Sequence, residues 1–189
     1  MVSTALDSPY GMPMDDDARL VERHFAGDPT AFDALYRRYY DKVFAIARGV
    51  LLDTEEALDA TMEIFSLVYR NLHKFDRRSR FGTWLFRVAV NRSIQHSRSA
   101  WRRKKHVELT ETIPAETPTP NEHEMDEKVE RALSELSPSD RAILALFYWD
   151  ELSLNEIAES LGCGVNAAKT RLYRARERFR AIYEAEESA

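Results

Sequence analysis

Residues 153–180, SLNEIAESLGCGVNAAKTRLYRARERFR, constrain this chain more than any other stretch. Ser153 is followed three residues later by Glu156, the spacing of a capping box that starts a helix. Ile157 and Leu161 give that helix an inward side, and Ala158 is small enough for a second helix to cross closely. Gly162 and Gly164 permit the turn. Val165, Ala168 and Leu172 then hold the second helix against the first, with Asn166, Lys169, Thr170, Tyr173 and Arg174 on its outward side. Such a pair lays its second helix into the DNA major groove, N-terminal residues first. An ordinary helical hairpin would share the turn but would not need the basic outer face.

The net charge of −5 argues weakly against a nucleic-acid binder, but its distribution reverses that reading. Between 71 and 105 eleven Lys and Arg residues face one acid, Asp76. From 106 to 130 eight acids face Lys128 alone, and from 169 to 180 six cations face Glu177 alone. Two basic segments around an acidic strip form a nucleic-acid footprint rather than ordinary solvated helix faces. Cys163 is the one cysteine, so an intramolecular disulfide and a cysteine-cluster zinc site are excluded. No apolar run is long enough to span a bilayer, and a cytoplasmic location is expected.

Helix-period patterns dominate, which predicts an all-α protein. Residues 1–17 read as an acidic, disordered leader ending in Asp15, Asp16 and Asp17. Asp28-Pro29 pairs a capping side chain with a first-position proline. Phe32, Leu35, Tyr36, Tyr39, Val43, Ile46, Ala47 and Val50 follow as one buried stripe. Asp53 starts the next helix, with Glu56 at the capping-box position. Its inward stripe is Ala57, Thr61, Ile64, Phe65, Val68 and Leu72, with Asp59, Met62, Glu63 and Ser66 on another face.

Phe75–Gly82 reads as a basic loop between phenylalanines, with helix resuming at Thr83 as N-cap and running to about Ala100. Arg87, Asn91, Gln95, Arg98 and Arg102 recur at steps of three or four and share an outer face. Arg supplies paired donors, and Asn and Gln supply a donor beside an acceptor, which is what base and phosphate contact requires. Phe75, Phe81 and Trp84 are aromatic candidates for stacking on an unpaired base, with Trp84 also suited to the core. Residues 106–124, with Pro114, Pro118 and Pro120, read as a flexible acidic linker. Beyond it, Ser137-Pro138 caps a helix carrying Ile143, Leu144 and Phe147.

In these residues the chain resembles the extracytoplasmic-function group of bacterial sigma factors, over roughly residues 20–180. The matching stretches are FDALYRRYYDKVFAIARGVL, EEALDATMEIFSLVYRNLHKF and FGTWLFRVAVNRSIQHSR, then LSELSPSDRAILALFYWDELSLNEIAESLG and AAKTRLYRARERF. The resemblance implies two small helical domains: sigma domain two at 18–105 and domain four, with the helix-turn-helix, at 125–184, before a short tail at 185–189. It implies binding to the clamp helices and flap of core RNA polymerase and to promoter DNA, with an anti-sigma factor as a further partner and no membrane insertion.

Carried over residue by residue, the polymerase-facing positions are Asp59, Met62, Glu63 and Ser66. The −10 reader is Phe75, Arg77, Arg78, Arg80, Phe81, Arg87, Asn91, Gln95 and Arg98. The −35 reader is Asn166, Lys169, Thr170, Arg171, Tyr173, Arg174 and Arg176. Met62 departs from the family's usual glutamine. Ala167 lacks the hydroxyl the family usually carries there, and Gln95 or His96 occupies the place of an acid.

Two other readings compete. A helix-turn-helix regulator of duplex DNA would leave the basic-aromatic module at 84–91 unused. An enzyme would need a motif the chain lacks: there is no glycine-rich phosphate loop or nucleophile signature. His106, Asn121, Glu122, His123 and Glu124 lack helical metal-ligand spacing, so no metal, cofactor or catalytic residue is expected.

Overall fold

The computed structural model describes residues 16–107, 127–148 and 152–187. Among these the chain is all helix and turn. The helices are α1 (Asp16–Phe25), α2 (Pro29–Leu51), α3 (Thr54–Asn71), α4 (Phe81–Val107), α5 (Glu127–Glu135), α6 (Pro138–Tyr148), α7 (Leu154–Ser160) and α8 (Val165–Glu187), with a 3-10 turn at Leu72–Lys74. The all-α expectation holds. Residues 1–15 of the expected leader and 108–124 of the expected linker lie outside the described residues.

The leader expectation fails at Asp16 and Asp17, which open α1. Asp17 is buried because its partners wait on another helix: its carboxylate accepts from Arg38 Nη1 and the Tyr39 hydroxyl of α2. That hydrogen bond is also the main reason the Arg38 pKa is raised. α1 ends in a Schellman turn, with Gly27 left-handed (φ 88°), Gly27 N–H donating to His24 O and Asp28 N–H to Arg23 O. Asp28 then caps α2 at once, accepting from Thr30 N–H at 2.9 Å, with Pro29 in the first turn. Arg23 closes the corner, donating from Nε and Nη2 to Asp28 Oδ2 at 2.9 and 2.6 Å.

Asp53 caps α3 by accepting from Glu56 N–H, and the Glu56 carboxylate meets His96 of α4. The α3 stripe is buried as its spacing predicts, from Ala57 to Leu72. α4 starts two residues before the expected Thr83 cap. Trp84 N–H donates to Arg80 O, and Thr83 is buried inside the helix. It runs on to Val107, past the expected end and into the first residues of the expected linker. Gly82 is therefore a packing residue rather than a turn: a Cβ there would lie 2.9 Å from the Tyr39 hydroxyl and 3.0 Å from its ring.

The second helical unit uses the expected caps. Ser137 Oγ accepts from Asp140 N–H at 3.1 Å, and Ser153 and Glu156 form a complete capping box. α7 ends in a second Schellman turn on left-handed Gly162 (φ 62°), with Cys163 N–H donating to Ala158 O. Ala168 and Leu172 pack inward as expected, but Val165 is exposed at the very start of α8.

The two units share one hydrophobic cluster. It runs from Leu20, Leu35, Ile46 and Val50 through Ile64, Phe81 and Leu85 to Leu136, Ile143, Leu146, Ile157 and Leu172. Each such side chain contributes about 1.5–3 kcal/mol of burial. α6 lies against α2, and α7 against α4.

Two predictions follow from local geometry. Gly→Ala inside a helix ordinarily stabilises by about 0.5–1 kcal/mol. Gly82→Ala instead destabilises by about 1–2 kcal/mol in urea unfolding, because the Tyr39 ring is held by Asp17, Phe81 and Phe86 and cannot swing away. The Asp28 carboxyl is held down to about 2 by the Thr30 hydroxyl and N–H, then by Arg23. Its folded pKa is depressed, so the stability it contributes is present above the unfolded value and drains as pH falls through about 2. An NMR titration of Asp28 checks this; a midpoint at the ordinary aspartate value would mean that the cap does not form.

Candidate nucleic-acid interface

The fold sorts the cations of the first basic segment by partner. Arg87, Asn91, Gln95 and Arg98 are exposed along one side of α4, as their spacing predicts. Arg92 turns to α3 and donates from Nε and Nη2 to Glu63 Oε2 at 3.0 and 2.7 Å. His96 also turns to α3, between Glu56 and Glu63. The residue after Gln95 is thus a helix-packing group rather than part of the α4 outer face.

In the loop before α4, Arg78 and Arg80 are exposed. Arg77 adopts a left-handed backbone (φ 61°) and donates to Glu22 Oε1 of α1 at 2.7 Å. Phe75 and Phe81 do not meet the expectation of aromatics ready to stack on a base. Phe75 is 9% exposed and Phe81 1%, their rings edge-to-face at 5.6 Å. Their apolar area is used to pin both ends of the loop to the core, beside Tyr39 and Trp84. Trp84 packs against both and stays half-buried.

The second basic segment divides along its length. Asn166, Lys169, Thr170, Arg171, Tyr173 and Arg174 are exposed, with Tyr173 at 64%. The Thr170 hydroxyl donates to Asn166 O at 2.9 Å, which leaves its lone pairs outward. The later cations bind the protein itself. Arg178 donates to both carboxylate oxygens of Asp140 at 2.9 and 2.7 Å, and Arg180 pairs with Glu177 at 3.7 Å. Arg176, expected among the DNA contacts, is half-buried, its guanidinium 4.5 Å from the Phe147 ring centre and 5.2 Å from that of Tyr148. A planar cation desolvated on two rings is a packing element. Sequence spacing could not find this, because the rings sit on α6.

On α3, Asp59, Met62, Glu63 and Ser66 are exposed together, Met62 at 67%. The sequence reading missed that Leu58 and Tyr69 join them as exposed apolar side chains. Their spacing of four and seven residues from Met62 was the available signal. A mixed acidic and apolar helix face of this kind suits a protein partner rather than nucleic acid.

Among the described residues no group of three His, Cys, Asp or Glu residues could hold a metal ion. The His106 side chain and residues 121–124 lie outside them. No described helix is long and apolar enough to cross a membrane.

Known proteins match this arrangement along most of the chain. Residues 35–103 match the model of sigma-70 region 2, and residues 126–179 match that of sigma-70, region 4. The RNA polymerase sigma-H factor of Pseudomonas aeruginosa is 30% identical over 179 residues, spanning 88% of this chain and 93% of its own. The ECF RNA polymerase sigma factor SigW of Bacillus subtilis is 32% identical over 167 residues, spanning 82% and 89%. Among solved structures, CnrH in complex with the cytosolic domain of CnrY superimposes with a TM-score of 0.68 at 26% identity, covering 90% of this chain and 99% of that one. The chain belongs to the sigma-70 family of RNA polymerase sigma factors, in its extracytoplasmic-function group.

Proposed function

We propose that this protein binds core RNA polymerase in the cytoplasm and directs it to a class of promoters, with α1–α4 opening the −10 element and α5–α8 gripping the −35 element. The observation that carries the reading is the presence on one chain of three separate faces. These are the outer side of α4, the N-terminal half of α8, and the acidic-apolar side of α3. A duplex-binding repressor needs only the second.

Each face has a task that its chemistry suits. On α8, Lys169 and Arg171 anchor phosphates, and Asn166, Thr170, Tyr173 and Arg174 lie where base edges are reached. On α4, Asn91 and Gln95 offer paired donor and acceptor groups to an extruded base, flanked by Arg87 and Arg98. Trp84 takes the stacking role in place of Phe75 and Phe81. On α3, Met62 with Leu58 and Tyr69 supplies apolar contact to the polymerase clamp, and Asp59 with Glu63 supplies charge. Met62 fills by packing what glutamine would fill by hydrogen bonding. A protein partner that covers these faces, an anti-sigma factor, completes the reading; CnrH, 26% identical to this chain, is seen in complex with another chain, the cytosolic domain of CnrY.

In vitro transcription from genomic promoters with core enzyme tests the reading, and absence of both a dependent transcript and core association would overturn it. Arg174→Ala weakens −35 binding by about 1–3 kcal/mol if it reads a base, with −10 melting unchanged. Asn91→Ala has the opposite pattern, sparing duplex binding and slowing open-complex formation measured by permanganate reactivity. Phe81→Ala separates core from contact: it lowers stability by about 3–5 kcal/mol in urea unfolding. A stable variant that lost only melting would return Phe81 to the DNA interface.

A further inference from the structure

Among the described residues, Leu52 and Arg77 are the non-glycine residues with a left-handed backbone. Leu52 ends α2, its N–H donating to Arg48 O at 2.8 Å, and at a helix end that conformation is ordinary. Arg77 ends no helix. It stands in mid-loop between Phe75 and Phe81, whose rings are fixed in the core. A Cβ makes this conformation unfavourable, so contacts around the residue have to hold it. Along the chain, Arg78 N–H donates to Asp76 Oδ1 at 3.1 Å, which turns the loop about Arg77. From the side, Arg77 Nη1 donates to Glu22 Oε1 of α1 at 2.7 Å. Glu22 is itself on a fixed element: Leu20 and Val21 before it are buried, and His24 after it lies edge-on to Tyr69 of α3 at 5.3 Å. The arginines of the loop thus face different surroundings. The Arg77 side chain is 28% exposed, while that of Arg78, 3.2 Å from Asp76, is 76% exposed.

We propose that Arg77 is a positioning residue rather than a contact to DNA: tied to Glu22, it selects the loop conformer that presents Arg78 and Arg80 to the −10 element. The proposal rests on the assignment of this loop and α4 to that element made above. The Arg77 side chain turns back to α1, and the arginines after it stay outward. An ion pair this open to water adds little to the stability of the whole chain, so its effect lies in choosing between loop conformers of similar energy. Without the pair, Arg77 relaxes to an ordinary φ and the loop samples several arrangements, one of which the DNA must then fix on binding. Glu22, an acid that would repel a phosphate, thereby acts on −10 engagement through Arg77.

The test compares promoter opening by full-length protein with core enzyme, read by permanganate reactivity, with core affinity, −35 duplex binding and urea unfolding of the same variants. Glu22→Gln, close in shape to the native side chain, slows opening about tenfold, the scale of re-fixing one backbone residue. Core affinity and −35 binding stay within about twofold, and the urea midpoint is nearly unchanged. Arg77→Glu slows opening at least as much. Combining Glu22→Arg with Arg77→Glu recovers opening to within about threefold of native, because the tether re-forms with its polarity reversed. An arginine that grips a phosphate behaves otherwise. The swap would then stay as impaired as Arg77→Glu alone, and Arg77→Gln would lower the salt slope of promoter affinity by about 1. Either result overturns the proposal, as does loss of core affinity and −35 binding in parallel with the urea midpoint, which marks a purely structural pair. Should the swap fold poorly, Glu22→Gln and an unchanged salt slope for Arg77→Gln carry the test. Native promoter opening beside an indifferent Glu22→Gln overturns the proposal alone; failure of the native protein to open any promoter overturns the sigma-factor reading, and the proposal with it.

Discussion

Helix α2 is buried over an arc wider than one neighbour can cover, and the remaining helices are placed by how they cover it. Val43, Ile46, Ala47, Gly49 and Val50 are all buried. At about 100° per residue they occupy an arc of roughly 160°. One side is met by α3, where Ala47, Ala57 and Ala60 let the two backbones approach. Another is met by α4 and a third by α6, which brings Arg141 to the end of α2. A guanidinium with only carbonyl partners gains less from its contacts than one facing a carboxylate, and burial pulls the Arg141 pKa down. It still satisfies four carbonyls at once, across two helix ends.

Charge in this protein is informative only after its partners are known. The first basic segment loses Arg77 to Glu22 and Arg92 to Glu63, and the second loses Arg178 to Asp140 and Arg176 to two rings. What remains outward is narrower and better aimed than the sequence totals imply. On α8 the outward cations lie in the first three turns, where a recognition helix meets the groove. Arg176 and Arg178 fasten α8 to α6 and so fix the angle at which the first three turns are offered.

Local chemistry explains which parts were legible in the sequence. Asp28-Pro29, Ser137-Pro138 and Ser153 with Glu156 act within one turn, so their caps could be read directly. The α2 and α3 stripes repeat at the helical period, which survives any tertiary arrangement. What escaped depends on distant residues. Asp16 and Asp17 read as the end of an acidic leader until Arg38 and Tyr39 are seen to receive Asp17. Gly82 reads as a turn unless Tyr39 is known to press on it. Phe75 and Phe81, flanking arginines, look like a base-stacking pair in one dimension. In three dimensions the core outcompetes solvent for both rings.

Those same misread residues explain why the basic loop before α4 can be ordered without DNA. Its two ends are held by Phe75 and Phe81 in the core, and its middle by the Arg77–Glu22 pair. Glu22 is in place because α1 is docked through Asp17, and the Tyr39 that receives Asp17 also sits against Gly82 at the start of α4. The chain of contacts therefore runs from α1 through α2 to the loop and back. Ordering a flexible loop on binding costs about 1–2 kcal/mol per residue fixed. On the proposed reading of this site, a loop already fixed by folding spares the promoter complex that cost and leaves the interaction energy of Arg78, Arg80 and the α4 face for opening DNA. α1, whose first two residues read as the end of a leader, is the brace that makes this possible.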